Sequence, residues 1–209
     1  MTRRKDSLFL EKHIVLTFDI CSSTDMLEDL HRTENIKEWR NFIIWIKQYL
    51  TKKSKNEDFI LYKFTGDGWI LLFDFDYPGE DLVDILEDFC DAFYSRFKKK
   101  IIDILETPPD VIGLTFGMDR GTLVRIQMNG RNEYVGRAIN VACRLQGAIK
   151  DKDSAPQYKI LMTNHLYKFL KDDLSDHRCV KAQRKLRNIA GDKVVRCRKI
   201  FLSMSKSSR

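Results

Sequence analysis

The strongest periodic signal in this 209-residue sequence is an apolar stripe at Leu82, Ile85, Leu86, Phe89, Phe93, Phe97, Ile101 and Leu105. Its spacings of three and four predict one amphipathic helix over residues ~81–105, about seven turns long. So long a one-sided helix needs a broad apolar surface to lie on. Short β-branched and aromatic runs supply it: His13–Ile20, then Phe59–Phe64 and Trp69–Phe73 around Thr65-Gly66-Asp67-Gly68, a turn whose glycines suit positive φ. A second helix is expected over residues ~36–50, with Trp39, Phe42, Ile43, Ile46 and Leu50 on one face.

Downstream, strands are expected at Val111–Phe116 and Leu123–Met128, a helix at Ala138–Ile149 and a strand at Lys159–Thr163. A small helix near residues 164–171 and strands near 178–184 and 193–202 complete the core, leaving 203–209 as a disordered tail. Cys21-Ser22-Ser23-Thr24-Asp25 is a helix-starting cluster in which Ser22, Ser23 or Thr24 can cap. The order β-α-β-β-α-β-β-α-β-α-β-β predicts an α+β fold: a ferredoxin-like βαββαβ sandwich with a C-terminal extension.

Lys plus Arg number 37 against 30 Asp plus Glu, a net charge of +7, which favours a polyanionic partner without choosing one. Five cysteines without a C-x-x-C pair argue against a disulfide framework or a cysteine zinc site. No apolar run reaches the ~18 residues of a membrane span. The opening MTRRKDSLFLEK lacks a signal-peptide core. A cytoplasmic protein with no membrane partner is expected.

Two constellations can carry chemistry. Asp19 closes the first strand and Asp67 sits in the tip of the hairpin; if the two elements are neighbours, the carboxylates converge as hard ligands for Mg²⁺. The same positions equally suit an Asp approaching a helix and an ordinary turn Asp. Asn140 and Arg144, four apart on the helix expected after Gly136, share a face. Arg144 offers a planar fork of donors to a phosphate and Asn140 can orient a sugar oxygen, or both are surface residues.

Taken together, Phe18-Asp19-Ile20-Cys21-Ser22-Ser23-Thr24, Lys63-Phe64-Thr65-Gly66-Asp67-Gly68, Gly113–Gly121 and Val135–Leu145 stand in the order of a class III nucleotidyl cyclase catalytic domain. The resemblance covers residues 12–202, with 1–11 as an N-terminal extension. It implies a homodimer with active sites at the interface and two Mg²⁺ or Mn²⁺ ions per site. Asp19 and Asp67 resemble the metal carboxylates and the Ile20 carbonyl an extra ligand. Asn140 resembles the ribose-orienting residue and Arg144 the transition-state clamp, both from the opposite subunit. Arg187 resembles the triphosphate-binding residue, with Lys185 as the alternative. The implied reaction closes a nucleoside triphosphate to a 3′,5′-cyclic mononucleotide and pyrophosphate.

Lys63 and Glu133 occupy the base-reading places of that family. A Lys donor beside a carboxylate acceptor suits cytosine (N3 and N4) or adenine (N1 and N6); uracil fits in a shifted pose and guanine has the opposite polarity. As a bare domain, the chain also resembles the pyrimidine cyclases of the Pycsar antiphage systems, whose cyclic CMP or cyclic UMP activates a separate effector. The sequence departs from the family at Asp119-Arg120-Gly121-Thr122, where a His/Ser/Thr-Gly-Glu turn is usual, and at Gly68-Trp69. Competing readings are an adenylate cyclase, a catalytically inactive nucleotide-binding module and an RNA-binding plait. The last lacks the Lys/Arg-Gly-Phe/Tyr-rich strand it needs, so no nucleic-acid partner is expected.

Overall fold

The computed structural model describes residues 9–149, 158–189, 191 and 194–202. Eight strands form one sheet: β1 (Phe9–Ile20), β2 (Ile60–Phe64), β3 (Trp69–Asp74), β4 (Leu114–Met128), β5 (Arg131–Val135), β6 (Lys159–Thr163), β7 (Arg178–Lys185) and β8 (Val194–Phe201). Its order is β2-β3-β1-β4-β6-β8-β7, and β5 pairs with β4. The first four of these strands run antiparallel to their neighbours, and β6 joins β4 in parallel. That is the expected α+β, ferredoxin-like βαββαβ sandwich with a C-terminal extension.

The helices are α1 (Ser23–Arg32), α2 (Ile36–Asn56), α3 (Gly79–Lys100), α4 (Arg137–Gln146) and α5 (Asn164–Leu170). One sheet face carries the large core. Ile14, Leu16, Phe18 and Ile20 alternate inward from β1 onto the stripe of α3, and Phe18 meets Phe89 edge-on at 4.9 Å. Phe42 of α2 packs against Phe93 and Phe97 at 5.5 and 5.8 Å. On the opposite face α4 lies over Val15, Leu72 and Leu123. It lies close because Gly117 of β4 has no side chain: a Cβ there would come within 2.0 Å of the Ala142 carbonyl oxygen.

Several local expectations need correction. The strands expected at Val111–Phe116 and Leu123–Met128 are one strand, β4, which starts only at Leu114 and runs straight through Asp119-Arg120-Gly121-Thr122. Of its two glycines, Gly117 is a close-contact position, whereas a Cβ on Gly121 would make only an ordinary 3.4 Å contact with Ala138. The hairpin falls at Asn129-Gly130, both in the left-handed region, and leads into β5, whose polar sequence hid it. One helix was expected between β1 and β2, and there are two. Glu34 adopts φ 60 and the Asn35 N–H turns back to Leu30 O, which breaks α1 from α2. Strand β1 starts at Phe9, within the expected N-terminal extension. The expected tail, 203–209, lies outside the described residues. Among those described, no helix is long and apolar enough to cross a membrane.

Candidate active site

Asp19 and Asp67 meet at the end of β1. The β2–β3 turn comes down on that end because Gly68 lets backbone touch backbone, a Cβ there falling within 1.8 Å of the Phe18 carbonyl oxygen. Gly66, at φ 115, supplies the positive φ the turn needs, and the Thr65 N–H closes it onto Gly68 O at 3.0 Å. Asp67 is thereby brought beside Asp19. Both line a cleft of about 1060 Å³, with Ile20, the Ser22–Asp25 start of α1, the Thr107–Val111 loop and Gln146 at the end of α4.

Burial first, and then the neighbouring Asp67 carboxyl, push the Asp19 carboxyl up to about 7. Gln146, which donates to Thr115 Oγ1 at 2.9 Å, stands near Asp19 in the cleft and opposes that rise. Ser22 takes the N-cap position of α1 in a left-handed conformation but makes no side-chain cap. The Ser23 hydroxyl donates to Asp67 Oδ2 instead. Spacing had marked these serines as caps, and only the tertiary approach of the turn redirects one of them.

The pair fits a divalent cation. Two neighbouring carboxylates in a partly buried cleft, one resisting ionisation because of burial and then of the other, form a charge arrangement that a hard cation relieves. Among the described residues no group of three or more His, Cys, Asp or Glu side chains surrounds one point. Further oxygens available at the cleft wall include the Ile20 carbonyl and the Ser and Thr side chains at the start of α1.

The other residues of interest lie elsewhere. Asn140 and Arg144 share the exposed side of α4 and do not line the Asp19–Asp67 cleft. Lys185 and Arg187 are exposed at the end of β7 and in the turn beyond it. Leu186 and Ile189 pack onto Val141 and Leu145, fixing that segment to α4.

Lys63 Nζ lies 3.5 Å from Glu133 Oε2. A residue overlooked in the sequence completes this group. The Tyr62 hydroxyl donates to Glu133 Oε2 at 2.8 Å and accepts the Tyr134 N–H at 2.9 Å. The Tyr62 hydroxyl, with Lys63 beside it, holds the Glu133 carboxyl below its ordinary range. Alternation would send Tyr62 and Lys63 to opposite faces, but the ladder shifts register between Leu61 and Lys63. That bulge brings both to Glu133.

No protein-family model matches the chain, and no curated protein matches it in sequence. Solved structures do match it along nearly their whole length. The adenylyl cyclase CyaB from P. aeruginosa superposes with a TM-score of 0.71 at 17% identity, covering 95% of this chain and 98% of that one. The chain has the nucleotidyl cyclase fold. The guanylyl cyclase Cya2 gives 0.68 at 15% identity over 96% and 98% of the two chains. An adenylate/guanylate cyclase/hydrolase from Silicibacter pomeroyi gives 0.66 at 16% over 94% and 100%.

Proposed function

We propose that this protein is a class III nucleotidyl cyclase that works as a homodimer and converts a nucleoside triphosphate to its 3′,5′-cyclic monophosphate and pyrophosphate. The observation that carries the reading is the division of the candidate groups within one chain. Asp19 and Asp67 line one cleft, whereas Asn140, Arg144 and Arg187 stand on the α4 side outside it. A second copy supplies the missing half, so two subunits make two composite sites.

In that site Asp19, Asp67 and the Ile20 carbonyl hold Mg²⁺ or Mn²⁺, two per site. The metal, when bound, acidifies the 3′-hydroxyl and offsets phosphate charge. Asn140 of one subunit orients the ribose so that the 3′-oxygen stands in line with the α-phosphorus. Arg144 places a fork of N–H donors where negative charge builds as the P–O bond to pyrophosphate breaks. Arg187, or Lys185 beside it, grips the triphosphate. Lys63 donates to, and Glu133 accepts from, the edge of the base.

For the base we infer a pyrimidine, giving cyclic CMP or cyclic UMP as a messenger read by a separate effector in an antiphage response. The Lys63–Glu133 pair, whose polarity disfavours guanine, and the sequence resemblance to the Pycsar pyrimidine cyclases support this reading. Adenine presents the same edge as cytosine, and the adenylyl cyclases among the structural neighbours favour ATP as the second reading. The test is a competition: purified protein, Mn²⁺ and equimolar ATP, CTP, GTP and UTP, with products identified by mass spectrometry. A dominant pyrimidine cyclic nucleotide is expected. Cyclic AMP as the main product would establish the second reading, and no cyclic product from any of the four would overturn the cyclase assignment.

A further inference from the structure

The positive charge of this protein is concentrated in one hairpin. Residues 178–201, which contain β7 and β8, hold nine Lys and Arg against one Asp, so this segment accounts for the whole net charge of +7 and the rest is close to neutral. Among the described residues β7 is the last strand of the sheet, and it pairs with β8 in unbroken register from Arg178 to Lys185. Its outer edge is therefore a regular eight-residue rim of backbone donors and acceptors.

Directly opposed residues share a face, and along a strand the faces alternate. Lys181 stands opposite Arg198 and Gln183 opposite Arg196, with Lys185 next along the same face. Four cations thus share one side of a two-stranded ribbon, and like charges directly across a ladder repel. Among the described residues none of these four is in an ion pair with a carboxylate. Arg198 is held by neutral groups, donating to Asn164 Oδ1 at 3.2 Å and lying over the Tyr167 ring. Lysines and arginines on an edge strand guard against self-pairing, which explains Lys181 and Lys185. It does not explain Arg196 and Arg198, which lie on the inner strand.

We propose that the β7 edge, together with the cationic face it shares with β8, is a docking strand for an acidic, extended segment of a partner protein. Such a segment would continue the sheet through main-chain hydrogen bonds and set its carboxylates over Lys181, Arg196 and Arg198. A single-stranded nucleic acid is less well served, because it needs aromatic platforms: the one aromatic residue of the hairpin, Phe201, is buried. An anionic membrane is also less well served. The exposed valines, Val180 and Val194, lie on opposite faces and form no apolar wedge.

The test is fluorescence anisotropy with the full-length protein and four probes. These are a twelve-residue peptide alternating Glu and Val, the same peptide N-methylated at alternate residues, an oligo-dT of equal charge, and phosphatidylserine vesicles. The unmodified peptide should bind best, in a salt-sensitive manner. N-methylation, which removes backbone donors but no charge, should weaken it about tenfold or more, as should Lys181→Glu with Arg196→Glu in the protein. Equal binding of both peptides would overturn strand addition. Tighter binding of the oligonucleotide or the vesicles, or no peptide binding, would overturn the choice of partner. None of these readouts depends on nucleotide turnover.

Discussion

Gly68 lies beneath the backbone of Phe18, where an added Cβ would fall 1.8 Å from the carbonyl oxygen and 3.2 Å from Asp19 Cα. The obstacle is the main chain of β1, so no side chain can swing away. Gly68→Ala must lift the turn off β1 and separate Asp67 from Asp19. The expected cost is about 1–3 kcal/mol in denaturant unfolding, with turnover down about 100-fold from the misplaced carboxylate. Gly66 has open space for a Cβ but sits at φ 115, so Gly66→Ala should strain the backbone without prising the two elements apart. Equal turnover in the two variants would show that the Gly68 contact does not place Asp67.

The raised pKa of Asp19 gives the metal-free protein a pH signature. A carboxyl that titrates near 7 folded, and near its ordinary value unfolded, favours the fold most while protonated in both states. Its contribution is complete below about pH 4 and is lost as pH rises through about 7. In EDTA the melting temperature should therefore fall between those values more steeply in the native protein than in Asp19→Asn. Added Mg²⁺ or Mn²⁺ should restore stability at the alkaline end in the native protein alone. Parallel pH profiles for the two proteins would show that the cleft does not hold Asp19 protonated.

Legibility followed how local the physics was. The α3 stripe and the β1 run are written in adjacent residues, and both elements stand where periodicity puts them, although α3 stops at Lys100, short of the expected 105, and a 3-10 turn follows at Ile102–Ile104. The uninterrupted course of β4 was not readable, because Gly117 and Gly121 look like turn glycines until α4 is known to lie on them. At the site, Asp19 and Asp67 stood out as acids at strand ends. Ser23, Gln146 and Tyr62 did not, since each acquires its partner only through tertiary approach or, for Tyr62, a bulge that reverses alternation.

If the composite-site reading holds, two dead proteins should rescue each other. Asp67→Ala removes a carboxylate from the cleft half, and Arg144→Ala removes the guanidinium from the α4 half. Each homodimer should lose activity about 1000-fold while staying dimeric. Mixed at equal concentrations and allowed to exchange, they should recover about a quarter of native turnover, since half the dimers then hold one intact site of two. Activity no higher than that of either variant, with heterodimers shown by native mass spectrometry, would place both halves in one chain.

Tyr62 connects the fold to base choice. Its hydroxyl fixes the Glu133 carboxylate and at the same time receives the Tyr134 N–H, so Tyr62→Phe frees one group and strands the other. The stability cost should be about 1 kcal/mol, that of one hydrogen bond to a charged acceptor and a partly buried N–H left to water. Lys63 would keep Glu133 within reach from 3.5 Å but no longer in one rotamer. Product identity in the four-nucleotide competition should therefore broaden, with the preferred base losing more in kcat/KM than the others, because discrimination rests on a fixed acceptor. Lys63→Glu should go further and reverse the donor at that edge, favouring guanine, whose N1–H and amine are donors. An unchanged product distribution in both variants would show that the base is read elsewhere than by the Tyr62–Lys63–Glu133 group.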